Sequence, residues 1–456
     1  MRLFFKELRK NLVSEKLDKK KTQKVSPKAP DKLGNKRALL KQYSSKLKEC
    51  QKTLEEYSTR LENLAKKLNK KIDERSPLVA FNQKPMSAEL KSQNTGAFSS
   101  NTVEKVEIMD VISYPLEDNL LFGFHIDLPQ KGDKINSYVL EIIGWVLGRK
   151  SPALTLEIVN GDRVISQVSI RKPRPGVARH YQELPKAKTC GFAAEVGIAG
   201  LPQDRESELI VRAVLKDKTV VNIAGIKLRY QPQKTIGVLY IAMGKKYIEE
   251  AKISAKSLKA KMPNLPVTIL AHEEVKTPEF NEAVVVNKPY YSFEDKVVYL
   301  YDSPYEYTLF LDTDTYVCED FSELFGVLDN FDIAAVHAPT KIPGTVNGVP
   351  ECYQQMNTGM ILFKKSPEVK KFWEYWVKIY ESGEPDQPSF REALFKSNLR
   401  IATLTPEYNC RFPFPTFVCG TVKILHGRHQ DLEWVGQKIN AEKGARVYQP
   451  KDFKIE

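Results

Sequence analysis

YTLFLDTDTYV, residues 307–317, is the stretch on which the reading of this chain turns. A run of apolar and aromatic residues with strand preference ends in two carboxylates, Asp312 and Asp314, one residue apart. In open α/β sheets ligands gather outside the carboxyl ends of the strands, so both acids fall where a ligand would sit. Two such close carboxylates repel one another, and a divalent cation relieves that repulsion. A hard cation such as Mn²⁺ or Mg²⁺ takes oxygen ligands and bridges carboxylate to diphosphate. A solvated strand end is the plainer alternative, because short acidic strings of this kind also arise by chance.

On both sides of this stretch, from residue 233 to 456, strand and helix signals alternate. KTIGVLYIAM (234–243) reads as a buried strand. KKYIEEAKISAKSLKAK (245–261) reads as an amphipathic helix closed by Met262 and Pro263, and LPVTILAH (265–272) as the next strand. A β-α-β opening of this kind predicts a parallel sheet with a right-handed crossover. FDIAAVHA (331–338) and NTGMILFKK (357–365) are further strands. SPEVKKFWEYWVKIYES (366–382) and DQPSFREALFKS (386–397) are helices, with Trp373 and Trp376 on a core face. The expectation is a Rossmann-like α/β domain with a mixed, mostly parallel sheet.

Upstream the pattern changes. Residues 105–230 hold short β-rich runs, among them LLFGFHIDL (120–128), SYVLEIIGWVLG (137–148), ELIVRAVL (208–215) and TVVNIAGIKLRY (219–230). Turn residues separate them, and no helical period intervenes, which predicts an all-β sandwich. Trp145 sits among apolar neighbours and reads as core, with a sugar-stacking platform as the alternative. Residues 76–104 are polar, broken by Pro and Gly, and read as a linker. Residues 38–75 carry Leu40, Leu47, Leu54, Leu61 and Leu68 at strict seven-residue spacing. That heptad predicts a coiled coil and a homo-oligomer, although its second seam holds Tyr43, Cys50, Tyr57 and finally Lys71. A single long surface helix is the bland alternative.

The net charge of +13 is concentrated at one end. Residues 1–75 carry 23 Lys/Arg against 10 Asp/Glu, and the other residues carry 47 of each. Nothing beyond the N-terminal region argues for nucleic acid. Residues 1–37 read as a basic disordered N-terminus. Phe4, Phe5, Leu8 and Leu12 would share one helical face and could touch an anionic membrane surface, against a frayed solvated terminus as the simpler reading. No apolar run reaches the ~20 residues of a membrane span. The six cysteines are scattered without metal-like spacing, which points to a reducing compartment. The expected location is cytoplasmic, with peripheral contact at the inner face of a membrane as an option.

Two kinds of chemistry fit hydrophobic-DxDxT. In the haloacid dehalogenase pattern, the first Asp is a phosphorylated nucleophile on the first strand of its domain. Here Asp312 falls 76 residues after Ile236, behind an earlier β-α-β unit, and neither Asp-Asp nor Gly-Asp-x-x-x-Asp follows it. The other elements arrive in a different order. A basic residue, Lys296, precedes the acids. Met356-Asn357-Thr358-Gly359-Met360 comes after them, then Pro385-Asp386-Gln387-Pro388, then Tyr408-Asn409, and last Ile424-Leu425-His426-Gly427-Arg428-His429.

In this order the chain resembles GT-A glycosyltransferases, in particular the family 8-like, glycogenin-like group. The segment before it loosely resembles the β-sandwich modules placed ahead of such domains in some bacterial proteins. The resemblance implies a nucleotide-sugar donor, with a UDP-sugar and a hexosyl group foremost, and a glycan, lipid or protein acceptor. It implies a metal held by Asp312, Asp314 and His426. Nucleotide or sugar contacts would come from Ile241, Ala242, Lys296, Asp312, Thr358, Gly359, Asn409, Gly427 and Arg428, with Asn357, Asp386 and Gln387 around the transfer centre.

Each element also has a structural alternative. Asn357-Thr358-Gly359 could be a plain turn. Asp386 could be a helix N-cap, and an N-cap with a free oxygen can also hold a sugar hydroxyl. His429 could be a phosphate contact or a surface residue. The family places a Gly and a Lys-Pro-Trp after that histidine, with the lysine on the diphosphate; here the run is HGRHQDLEW (426–434), so that lysine is missing and Arg428 is the substitute. A non-catalytic scaffold that binds nucleotide sugar, organised by the coiled coil, is the rival of a different class.

Overall fold

The structure is a computed structural model and describes residues 105–340, 346 and 348–453. The basic N-terminus, the leucine heptads and the linker lie outside the described residues. Those described fall in one compact unit.

Nine strands come first. β1 (Val106–Ser113), β2 (Leu121–Leu128), β3 (Lys134–Ile135), β4 (Val139–Gly148) and β5 (Ala153–Asn160) are followed by β6 (Arg163–Ser169), β7 (Gly191–Gly197), β8 (Glu206–Leu215) and β9 (Val220–Tyr230). They form a six-stranded sheet in the order β3-β1-β9-β8-β5-β6 and a three-stranded sheet in the order β2-β4-β7. The pairings are antiparallel throughout. Alternation along the strands, as in β8 with Leu209, Val211 and Ala213 inward, builds the core between the two sheets. Trp145 is half-buried in a satellite cluster with Phe122, Tyr181 and Leu147, apart from that main core.

The α/β part is a seven-stranded sheet. Its strands are β10 (Ile236–Ala242), β11 (Val267–Ala271), β12 (Glu282–Val285), β13 (Tyr307–Leu311), β15 (Ile333–His337), β16 (Met356–Lys364) and β17 (Ile401–Leu404). The order is β12-β11-β10-β13-β16-β15-β17. All run parallel except β16, which is antiparallel to both of its neighbours. The longer helices are α1 (Lys245–Lys261), α2 (Phe293–Tyr299), α3 (Pro367–Ile379), α4 (Asp386–Lys396) and α5 (Leu432–Ala441), with a single helical turn at Leu324–Val327. Trp373 and Trp376 pack in the second apolar core with Phe372 and Phe390.

Two features of the 307–317 stretch differ from a single strand. β13 stops at Leu311, and β14 (Thr315–Val317) leaves the sheet to pair with β19 (Ile424–His426). The break falls on the acids, so Asp312 and Asp314 occupy the corner where the chain changes sheets. Two other short strands, β18 (Thr416–Val418) and β20 (Arg446–Tyr448), pair with each other.

The sandwich and the α/β part share apolar packing. One buried cluster runs from Val106, Tyr138 and Ile198 into Met262, Phe321, Phe325 and Ile424. The Tyr138 and Phe325 rings are 5.8 Å apart. Ser322 Oγ accepts from the Ala199 amide at 3.0 Å, and Asn264 Nδ2 donates to the Gly200 carbonyl at 2.9 Å. A side chain at Gly200 would lie 2.9 Å from the Met262 backbone, so the two parts approach too closely for any larger residue there.

Candidate active site

The antiparallel direction of β16 decides what meets the acids. It brings Asn357, Thr358 and Gly359 to the edge where the parallel strands end. The Asp312 amide donates to the Gly359 carbonyl at 2.8 Å. Asn357-Thr358-Gly359 is therefore buried strand rather than a turn, because its backbone groups are taken up by β13 and β15. Gly359 is needed for space. A Cβ there would stand 2.0 Å from His426 Cε1 and 2.8 Å from Asp312 Oδ2.

β14–β19 pairing sets Thr315 opposite His426, and the Gly427 amide donates to the Asp314 carbonyl at 2.9 Å. Gly427 has φ +144°, and a Cβ on it would meet the Pro413 ring at 2.4 Å. His426 is only 3% exposed. Its Nε2 lies 3.3 Å from Asp314 Oδ1 and 3.7 Å from Asp312 Oδ2.

The protonation of the His426 ring follows from a backbone group that can only donate. The Gly359 N–H gives its hydrogen to Asn357 Oδ1 at 3.1 Å. That oxygen also accepts from Asn409 Nδ2 at 2.9 Å, which turns Asn409 Oδ1 toward His426 Nδ1, 2.8 Å away. Nδ1 must then carry a hydrogen, and Nε2 is the nitrogen that faces the two carboxylates. In the metal-free site a proton on Nε2 would bond to them, and a cation that displaces that proton would meet the Nε2 lone pair. Ligands at ~2.1 Å from a hard cation lie at most ~4.2 Å apart, so both measured separations fit a shared ion. Among the described residues, Asp312, Asp314 and His426 are the one group of this kind.

Cations surround the acids. Lys296, on α2, is buried, with Nζ 3.0 Å from Asp312 Oδ1, 2.9 Å from Asp386 Oδ2 and 3.5 Å from Thr358 Oγ1. A capping box at Ser292 and Asp295 fixes the start of that short helix. Arg428 pairs bidentately with Glu250 of α1, at 2.8 and 3.0 Å, and lies 3.5 Å from Asp314 Oδ2. Glu250 also accepts from Thr313 Oγ1 at 3.0 Å. Burial alone would lower Lys296, but Asp312 and Asp386 override it and hold the ammonium above its ordinary value. Burial pushes Asp312 up, against the pull of Lys296 and His426. Burial would raise Asp314 too, but the adjoining His426 ring, then Arg428 and Arg411, keep its carboxyl well below the usual carboxylate range.

Asp386 is not an N-cap. Pro385 takes the cap position and Asp386 is the first residue of α4. Its buried carboxylate is free of backbone capping and turns to Lys296 instead. Gln387 is half-buried beside it. Ile241 and Ala242 end β10, the strand next to β13, at the same edge. His429 stacks on Trp434, accepts the Asp431 amide hydrogen at Nδ1 and donates from Nε2 to the Phe453 carbonyl, so its ring is held as structure. Sequence reasoning missed two residues. Glu250 is 178 positions from Arg428, and no local pattern links them. Arg411 does carry a local signal, a cation two residues after Asn409, within the YNCRF run (408–412).

With the site assembled, its relatives can be named. Residues 307–435 match the family described as nucleotide-diphospho-sugar transferase. No curated protein matches the chain. Among solved structures, the glycosyltransferase GlyE of Streptococcus pneumoniae TIGR4 aligns at TM-score 0.34 and 17% identity, over 46% of this chain and 61% of that one. The bifunctional glycosyltransferase WbbM aligns at 0.32 and 14%, over 41% and 44%. An active-site mutant of LgtC aligns at 0.30 and 14%, over 45% and 94%. This chain therefore spans about three-fifths of GlyE and under half of WbbM. The stretch from Tyr307 to Val435, which holds the acids, the Asn-Thr-Gly strand and the His-Gly, is similar to the nucleotide-diphospho-sugar transferases.

Proposed function

We propose that the chain transfers a sugar, in the first instance a hexosyl group, from a nucleotide-sugar donor such as a UDP-sugar to a glycan, lipid or protein acceptor. Surface polysaccharide or glycoconjugate synthesis is the context this fits. The observation that carries the reading is the convergence of Asp312, Asp314 and His426 Nε2 within the segment that matches the transferase family. The finer likeness to the family 8-like group rests on the same ordered residues.

In this reading Asp312, Asp314 and His426 would hold Mn²⁺ or Mg²⁺. Bound there, the cation supplies charge stabilisation to the diphosphate as the bond to the anomeric carbon breaks. The chain's own residues do the positioning. Lys296 keeps Asp312 and Asp386 in fixed places and neutralises part of their charge. Asn409 and Asn357 lock the tautomer of His426. Gly359 lets strand and imidazole close up. Asp386 and Gln387, at the start of α4, offer polar groups to the donor sugar, while the ends of β10 at Ile241 and Ala242 face the nucleotide. The acceptor hydroxyl oxygen bonds to the anomeric carbon, its proton departs to solvent or a nearby base, and the nucleoside diphosphate leaves.

The test is a panel of nucleotide sugars, with and without Mn²⁺, followed by release of nucleoside diphosphate. Metal-dependent release of one product, lost in Asp312→Ala and Asp314→Ala, supports transfer. Nucleotide binding without turnover on any acceptor would instead make the domain a scaffold. Release of inorganic phosphate from phosphomonoesters would sink both.

A further inference from the structure

We infer that Arg411, rather than Arg428, is the side chain that grips the diphosphate of the bound nucleotide. The inference rests on the sugar-transfer reading and specifies the part of that site where the family's lysine is missing.

The argument begins with which cations are already engaged. Lys296 has two carboxylates within 3.0 Å. Arg428 spends Nε and Nη2 on Glu250 in a forked pair, the geometry in which guanidinium and carboxylate bind best. Withdrawing Arg428 toward a phosphate would leave Glu250 with Thr313 Oγ1 and an exposed Lys246 3.9 Å away in place of a forked pair. Arg411 has no carboxylate at ion-pair distance among the described residues. Its Nε is buried and makes no hydrogen bond. A buried donor left unpaired is costly, so a native site that keeps one calls for a partner.

The chain places this arginine one residue from the backbone that pairs with the strand carrying His426. The Cys410 amide donates to the Ile424 carbonyl and the His426 amide donates to the Cys410 carbonyl, both at 2.9 Å. Arg411 is the next residue. The loop then closes on itself, with the Phe414 amide at 2.9 Å and Thr416 Oγ1 at 3.1 Å from the Arg411 carbonyl. The guanidinium sits 5.4 Å from the Phe414 ring centre, and Pro413 presses on Gly427. Burial pulls Arg411 below its ordinary value, against the opposing pull of Asp314 and Asp312, which places it in the field of the acids.

The charge balance fits a dianion. With Glu250 and Arg428 counted as a neutral pair, and the exposed Lys246 at its rim left to solvent, Asp312, Asp314 and Asp386 face Lys296 and Arg411, which leaves the empty cluster one negative charge in excess. A divalent ion reverses that sign and makes the pocket attractive to a diphosphate. Without Arg411 the loaded site would be neutral.

The experiment uses the full chain with saturating Mn²⁺. Calorimetry first selects the tightest binder among UDP, GDP, ADP and CDP, then compares it with its monophosphate. Arg411→Ala should weaken the diphosphate by about 10- to 100-fold, the loss of one charged hydrogen-bonding partner. The monophosphate should suffer less, Mn²⁺ affinity should hold, and Arg411→Lys should recover part of the loss. Arg428→Ala serves as the comparison. The assignment to Arg411 is overturned if Arg411→Ala binds the diphosphate like wild type. It is also overturned if mono- and diphosphate weaken equally, or if Arg428→Ala alone is impaired. If wild type binds no nucleoside diphosphate at all, the sugar-transfer reading fails and takes this assignment with it.

Discussion

Replacing Gly359 by alanine tests the site through the smallest possible change. The new methyl would stand 2.0 Å from His426 Cε1, where carbon atoms rest at about 3.5–4.0 Å, so an overlap of roughly 1.5 Å must be relieved. The strand cannot yield readily. Its neighbours are paired on both sides, Met360 with Leu311 and Asn357 with Val336, and the Gly359 carbonyl holds the Asp312 amide. The imidazole must therefore swing away, and its bond to Asn409 goes with it. Overpacking of this kind costs about 1–3 kcal/mol of stability. Losing the hydrogen-bonded support of a ligand histidine weakens metal binding by about 10–100-fold. A displacement of about 1 Å at the reacting centre slows turnover by roughly 100-fold. Mn²⁺ affinity by electron spin resonance, thermal melting and nucleoside diphosphate release measure the three effects. Gly176→Ala is the control, because a side chain there meets open space. Wild-type Mn²⁺ affinity and turnover in Gly359→Ala would refute the packing argument for His426.

Three further outcomes follow from the same coordinates. Asn409→Leu keeps the bulk but frees the ring of His426, so Mn²⁺ affinity should fall by about 10–100-fold with little loss of fold, as circular dichroism and metal titration would report. Trp376→Ala empties a fully buried site whose Nε1 donates to Ser389 Oγ at 3.0 Å, and should cost about 3–5 kcal/mol in denaturant titration without altering the metal site directly. Asp332 should control acid stability. Burial would raise its pKa, but Arg400 and Lys364 outweigh burial and hold it well below the usual carboxylate range. The folded value lies below the unfolded ~3.9, so its contribution is present at neutral pH and is lost as pH falls below about 4. Asp332→Asn should lower the melting temperature at pH 7 and flatten its decline in acid; equal acid slopes in both proteins would count against this ion pair.

Much of the site was legible because its parts sit where local patterns end. Asp312 and Asp314 close an apolar run, His426 closes another, and Asn357 opens a third. What the pattern concealed is how these ends meet. The strand-like look of residues 307–317 hid a change of sheet, since apolar Tyr316 and Val317 serve β14 as readily as β13. The helix carrying Lys296 was masked by VVYLY (297–301), a run that local preference reads equally as strand, although Ser292 and Asp295 spell its start. Arg428 looked free because Glu250 lies on α1, and Arg411 looked incidental because only the folded loop brings it behind His426. The roles of charged side chains depend on partners, and partners here come from distant segments.

The packing between the sandwich and the α/β part has a further consequence. A module on a string samples many angles and delivers whatever it holds from all sides. This one is keyed into its neighbour by Gly200 against Met262 and by Tyr138 against Phe325. Swinging it open would bring buried aromatic rings into water and break the Ala199 and Gly200 hydrogen bonds. Packed in this way, the sandwich keeps its place beside the α/β part. Any chain resting on its outer strands would be held at a constant offset from Asp314, and a chimera that exchanged the sandwich would have to recut the surface of the α/β part to match.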